Sequence, residues 1–290
     1  MSDPYVLEHH PREIARLVAY AEREAEDVKM VCRRVGLGAG DRAIDVGCGP
    51  LGALATFSEV VGPKGTVCGL ESSGEAIAKA RALLRHLGLA NVALVEADLT
   101  TADLDVLQLT EQFDLAYCRL VLLHQRDPAA FLARVGRLVR PGGHVAYQDI
   151  VDDPGHPMCE PPVPAMSRAW QLILELFARR GLAPDIARDH GAVARSLGGE
   201  LIHQRGKFPV LPAHEGFEIV QQLLTASRNS LSATGLASPD ETDALIANLE
   251  CAKAGSYRFW HGPLAIETIV RKPSSITTRS KESTLFSVRS

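Results

Sequence analysis

The chain has 290 residues, 46% of them hydrophobic, enough to bury one large core with a helical addition. A formal charge of −4 and a pI near 6.2 advertise no basic surface, which counts against nucleic acid as a partner. No apolar run reaches the ~18 residues of a membrane span and the opening residues are too charged for a signal peptide, so a cytoplasmic protein with no membrane partner is expected. Cys32, Cys48, Cys68, Cys118, Cys159 and Cys251 are scattered without C-x-x-C pairs, which reads as reduced thiols rather than disulfides or zinc ligands.

Taken in order, Tyr5 to Pro11 reads as an exposed arm whose His9 and His10 are solvated. Residues 12–35 read as an amphipathic helix, with Ile14, Leu17, Val18, Ala21, Ala25, Val28, Val31 and Val35 recurring at three and four. Next, Arg42-Ala43-Ile44-Asp45-Val46 is a buried strand running into Gly47-Cys48-Gly49-Pro50-Leu51-Gly52. That G-x-G-x-x-G turn suits positive φ and the close approach of a ligand to backbone. Asp45 lies inside the strand, where its alternative to a ligand role is a structural acid satisfying loop amides, and Glu71 ends the next apolar run, Thr66-Val67-Cys68-Gly69-Leu70. An acid at such a strand end accepts two ribose hydroxyls at once, so the pair frames a nucleoside.

Further strands are expected near 92–96, 113–118 and 143–151, with helices at 52–61, 74–88, 102–110 and 127–140. This alternation means βαβ units and a doubly wound α/β sheet with right-handed crossovers. Its ligand crevice lies beyond the carboxyl ends of the strands, which gathers Gly47–Gly52, Glu71–Ser73, Ala97–Leu99 and Cys118–Leu120. Residues 152–164 carry prolines 154, 157, 161, 162 and 164 and read as a loop. Helices follow at 164–181, 185–197, 214–232 and 238–254, with strands at 200–210 and 257–271 and a disordered Ser/Thr-rich tail. The expected organisation is an arm and capping helix at 1–40, a core of 41–154, 182–211 and 255–272, helical lid segments at 155–181 and 212–254, and a tail at 273–290.

Four motifs in register now resemble a known family, the class I S-adenosylmethionine-dependent methyltransferases. Asp45–Gly52 is similar to their first motif, Glu71 to the acid ending strand two, Glu96-Ala97-Asp98-Leu99 to the adenine-site motif, and Phe113–Tyr117 to strand four. Leu138-Val139-Arg140-Pro141-Gly142-Gly143 resembles the turn before strand five. The likeness covers residues 40–151; Tyr5, Glu13 and Arg16-Leu17 resemble, more weakly, the leader of small-molecule enzymes of the ubiquinone and menaquinone group. The resemblance implies a Rossmann-like seven-stranded mixed sheet with an antiparallel last strand, and S-adenosylmethionine as cofactor, leaving as S-adenosylhomocysteine. By it, Gly47, Cys48, Gly49 and Gly52 would pass under the methionine part, Asp45 would face its amino group, and Glu71 with Ser72 would take the ribose. Ala97, Asp98 and Leu99 would frame the adenine, Cys118 and Arg119 would offer backbone groups, and Tyr5 would reach the carboxylate.

His124, just past strand four, is the candidate general base, with a packing role as its alternative. Trp170 and Phe177, seven apart on one helix, are candidates for an acceptor wall, although that spacing more often means core. Asp149, Asp152 and Asp153 faintly resemble the metal site of catechol-type enzymes, but the rest of that pattern is missing; they read as solvated loop acids, and no metal site is expected. The Asn/Asp-Pro-Pro-aromatic turn of base-methylating enzymes is replaced by Cys118-Arg119-Leu120-Val121. A small, partly apolar acceptor is therefore expected as partner, with a homodimer left open. Two rivals stand beside this reading: an NAD(P)-dependent oxidoreductase, which shares the glycine turn, and a non-catalytic S-adenosylmethionine-binding protein.

Overall fold

A computed structural model of the chain describes residues 18, 19, 21–151, 158–255 and 259–274. Tyr5, His9, His10, Glu13, Arg16, Leu17, Asp152, Asp153 and the tail beyond 274 lie outside the described residues. In chain order the elements are α1 (Ala25–Val35), β1 (Arg42–Val46), α2 (Leu54–Val61), β2 (Thr66–Glu71), α3 (Gly74–His86), β3 (Val92–Glu96) and β4 (Phe113–Arg119). They continue with α4 (Pro128–Leu138), β5 (Val139–Val151), α5 (Pro164–Arg179), α6 (His190–Ala194), β6 (Glu200–Lys207), β7 (Val210–Pro212), α7 (Ala213–Ala233), α8 (Pro239–Lys253), β8 (Phe259–His261) and β9 (Leu264–Arg271).

Seven strands form one mixed sheet in the order β3-β2-β1-β4-β5-β9-β6, with β9 antiparallel to both its neighbours. The central strands read as apolar runs because both faces are covered. Alternate residues feed two cores: Ala43, Leu115 and Tyr117 point to Val31, Phe57 and Leu84 of α1, α2 and α3. Ile44, Ala116 and Cys118 point the other way, to Phe131 and Leu132 of α4. That second core runs on into Leu172 of α5, Phe217 of α7 and Leu249 of α8, so the added helices share the sheet's own hydrophobic interior. All six cysteines are free, and only Cys251 is exposed.

Three expectations are corrected. Residues 102–110 form turns rather than a helix: Asp103 accepts the N–H groups of Asp105 and Val106, Asp105 accepts from the Thr110 hydroxyl, and Gln108 has φ 57°. Short polar side chains that capture nearby amides compete with helical hydrogen bonds. The helix expected at 185–197 breaks into short 3-10 turns around the five-residue α6, in a segment preceded by Pro184 and interrupted by Gly191. The strands expected at 200–210 and 257–271 are each interrupted, at Pro209 and at Gly262-Pro263, where a proline has no N–H for the ladder. Beyond those breaks β7 and β8 pair with each other as a separate antiparallel ribbon, Leu211 opposite Trp260. A smaller difference is that β5 begins at Val139, paired with Phe113 ahead of a bulge.

Candidate active site

The carboxyl ends of β1, β2 and β4 open on a cavity of about 610 Å³. Gly47, Gly49 and Gly52 take φ of 70°, 54° and 50°, so the turn after β1 uses the left-handed conformation glycine alone adopts cheaply. Each glycine meets a different demand. A Cβ on Gly52 would lie 2.1 Å from Asp45 Oδ2, and one on Gly47 would lie 2.7 Å from Val121 Cγ2. One on Gly49 would enter open space, which leaves bare backbone on the cavity wall. The N–H groups of Gly47 and Cys48 donate to the Leu70 carbonyl, which pins the turn onto β2.

The acids around this turn are held by backbone. Asp45 is buried and accepts the Ala53 N–H through Oδ2 at 2.6 Å. Desolvation pushes its carboxyl up to about 7, against the pull of the Ala53 N–H and of Arg119, with Glu71 adding to the rise. Glu71 accepts the Gly49 N–H on Oε2 at 3.0 Å, and on Oε1 the Ser73 N–H at 3.0 Å and the Ser72 hydroxyl at 3.3 Å. One carboxylate thus bridges the glycine turn and the start of α3, at the cavity's edge.

The far end of the cavity is apolar. Trp170, Ile173 and Phe177 of α5, Ile219 and Leu223 of α7, and Leu211 and Trp260 of the ribbon line it. Between the two ends stands the turn after β4, where Arg119, Leu120, Val121, Leu123, His124 and Gln125 all face the cavity. The His124 ring lies 5.1 Å from that of Phe177, tilted by 41°.

Of the residues expected from the sequence, Asp45, Gly47, Cys48, Gly49, Gly52, Glu71, Ser72, Arg119, His124, Trp170 and Phe177 come together around this one cavity. Ala97, Asp98, Leu99 and Cys118 do not line it. Ala97 donates its N–H to the Glu71 carbonyl, and Asp98 Oδ1 accepts the N–H and hydroxyl of Thr100. Leu99 and Cys118 are buried in the second core, and burial pushes the Cys118 thiol up. Asp149, read from sequence as a loop acid, is wholly buried within β5. Sequence reasoning missed Glu24 just before α1, Asp27 within it, Lys207 of β6 and Trp260, all on the cavity wall. The prolines that interrupt both late strands were the available sign of a ribbon; nothing local foretells that Glu24 meets Lys207.

With this geometry in hand, the model of a methyltransferase-domain family matches residues 37–181, half of the chain. A ubiquinone biosynthesis O-methyltransferase of Pseudomonas fluorescens is 34% identical over 128 residues, 44% of this chain and 51% of that protein. An uncharacterized methyltransferase of Schizosaccharomyces pombe is 33% identical over 111 residues, 38% of this chain and 40% of that one. The chain thus spans about half the length of these curated relatives, or less. Among solved structures, phosphoethanolamine N-methyltransferase 2 of Haemonchus contortus, in complex with phosphomonomethylethanolamine and S-adenosylhomocysteine, superposes with a TM-score of 0.52 at 17% identity. That match covers 86% of this chain and 52% of the other. The [4+2]-cyclase SpnF gives a TM-score of 0.53 at 19% identity over 87% of this chain and 82% of its own. At such identities the likeness concerns the fold alone, and SpnF, as a [4+2]-cyclase, is named for a reaction other than methyl transfer. The chain belongs to the methyltransferase-domain family, as a class I fold with S-adenosylmethionine as its cofactor and a resemblance to the ubiquinone group.

Proposed function

We propose that this protein transfers the methyl group of S-adenosylmethionine to a small, partly apolar organic acceptor held in the far end of the cavity. One observation carries the reading: the glycine turn with Glu71 and the apolar chamber of α5, α7 and the ribbon are two ends of a single cavity, with His124 between them. The near end fits the cofactor. Bare backbone at Gly49 allows close approach, Glu71 supplies paired carboxylate oxygens for a ribose, and Asp45 and Glu71 favour a ligand carrying positive charge. When bound, the cofactor supplies an electrophilic methyl carbon.

The protein's own part is then to orient an acceptor, exclude water and move a proton. His124 takes the proton from the acceptor atom, and Trp170, Phe177 and Trp260 shape the chamber as a lid over it. Two of the cations on the wall already face carboxylates, which supports an uncharged acceptor: Lys207 is bound by Glu24 and Asp27, and Arg23 faces Glu215 at 3.9 Å. The relatives' name as O-methyltransferases supports an oxygen acceptor, which needs such a base.

The test pairs calorimetry with single-turnover transfer to a panel of uncharged phenols. Glu71→Ala should weaken cofactor binding by about 2 kcal/mol through loss of charge-assisted hydrogen bonds. His124→Ala should slow transfer about 100-fold and leave cofactor affinity alone. Saturable binding of NADH in place of S-adenosylmethionine would overturn the reading.

A further inference from the structure

Asp149 is the one carboxylate of β5 that is wholly buried, and the cofactor end of the cavity makes no use of it. Burial pushes its carboxyl up, a cost that a surface loop acid would not carry. Its Oδ1 accepts the N–H of Leu123 at 3.1 Å. Its Oδ2 faces Nε2 of the equally buried His190 across 3.9 Å, and neither atom has a hydrogen-bond partner among the described residues. His190 is itself fixed, through Nδ1 to the Thr268 hydroxyl at 3.0 Å and through its carbonyl, which accepts from the Tyr147 hydroxyl at 3.0 Å.

Leu123 belongs to the 3-10 turn Leu122–His124, and the chain reaches that turn by an unusual route. Leu120 takes φ 55°, a left-handed conformation that a residue with a side chain adopts only when its surroundings impose it. Its N–H donates to the Gln148 carbonyl at 2.7 Å, next to Asp149 on β5. Val121 then wedges against Gly47 of the cofactor turn, and the Leu123 carbonyl accepts the Ala183 N–H at 3.2 Å. The turn is thus clamped by β5 on one side and the glycine loop on the other, with His124 on the cavity at its end.

We infer that Asp149, buttressed by His190, is a positioning residue: its buried oxygen fixes the Leu122–His124 turn and so sets where the His124 imidazole stands relative to the glycine loop. This rests on His124 acting as the base. The chemistry required of Asp149 is that of a fixed acceptor, since reaction geometry is sensitive to displacements of about 1 Å. A side chain of similar shape that keeps an acceptor oxygen should therefore replace it, and one without an oxygen should not.

The experiment compares Asp149→Asn and Asp149→Leu with the wild type by three readouts. These are cofactor affinity by calorimetry, single-turnover transfer from tritiated-methyl S-adenosylmethionine to whichever uncharged phenol the wild type methylates, and amide exchange of residues 120–125. Asp149→Asn should keep the rate within about threefold and the exchange protection intact. Asp149→Leu should slow transfer at least about 30-fold and lose that protection, with cofactor affinity within about twofold. A folded Asp149→Leu that keeps rate and protection overturns the inference, as does one that loses rate only in step with cofactor affinity. Should Asp149→Leu not fold, Asp149→Asn decides alone: a large loss of rate with the turn still protected would mean that the charge, not the acceptor, is needed, and the inference falls. If the wild type methylates nothing, or His124→Ala keeps its rate, the reading of His124 fails instead. The exchange comparison then still decides whether Asp149 holds the turn.

Discussion

At the scale of single residues, Asp45 shows how one group serves two ends. Its carboxylate oxygen ties down the Ala53 N–H at the start of α2, and the residue also lines the cavity. Because burial raises its pKa to about 7, the cofactor-free protein favours the protonated form. That contribution to stability is full below about pH 4, the range of an unperturbed aspartate, and is lost as the pH rises towards about 7. A cationic ligand reverses the preference, so cofactor affinity should rise with pH across the same window, with protons released on binding near pH 6. Calorimetry in two buffers of different ionisation heat measures that release, and Asp45→Asn should abolish it. Affinity that is flat from pH 5 to 8 in the wild type would contradict the assignment. The placement of Asp45, Glu71 and the glycines was legible in the sequence because it is local, set by a strand end and a turn. Asp149 was misread because its burial depends on β9 and α6, which are remote in the chain.

At the scale of elements, the ribbon of β7 and β8 and the helix α7 form the roof of the apolar chamber. Gly216 lies within α7 directly against Trp260: a Cβ there would fall 2.1 Å from Cγ and 2.2 Å from Cβ of the indole residue. Two effects of Gly216→Ala oppose each other. Alanine is favoured over glycine in a helix by about 1 kcal/mol, whereas overpacking a filled core costs about 1–3 kcal/mol. The clash involves atoms close to the Trp260 backbone, which cannot swing aside, so packing should win. Denaturant unfolding should show a net loss of about 1 kcal/mol, with a raised KM for the acceptor and unchanged cofactor affinity. A stabilised variant would show that the roof is looser than this geometry requires. The roof was not readable beforehand, because two interrupted strands reveal a ribbon only once the breaks are known to meet, with the Gly262 N–H donating to the Pro209 carbonyl.

At the scale of the whole molecule, α1 is fastened across the sheet to its last strand. Lys207 of β6 binds both Glu24 and Asp27, and Arg205 joins Asp27 at 2.6 Å and Glu267 at 2.9 Å. Glu24 and Glu267 are nearly buried, so their partners offset a desolvation that would otherwise be costly. Since Arg23, Glu24, Asp27 and Lys207 also line the cavity, the clamp is part of its wall. Lys207→Met should therefore destabilise the protein by about 2 kcal/mol, less than for a fully buried pair because the lysine is partly solvated. It should also weaken cofactor binding. Unfolding of the cofactor-free and cofactor-bound protein checks both effects, and a change below about 0.5 kcal/mol would mean that solvent already supports the two acids.

By itself the sequence determined the alternation of strands and helices, the glycine turn, the acid inside the first strand and the acid that ends the second. These follow from periodicity and local backbone demands, which neighbouring residues carry. Only the tertiary structure decided that Leu99 and Cys118 turn into the core, that residues 102–110 stay unwound, and that Glu24, Lys207, Trp260 and His124 share one cavity. Those outcomes depend on which face of a strand is covered and on charges far apart in the chain, and such pairings exist only after the sheet has closed its order.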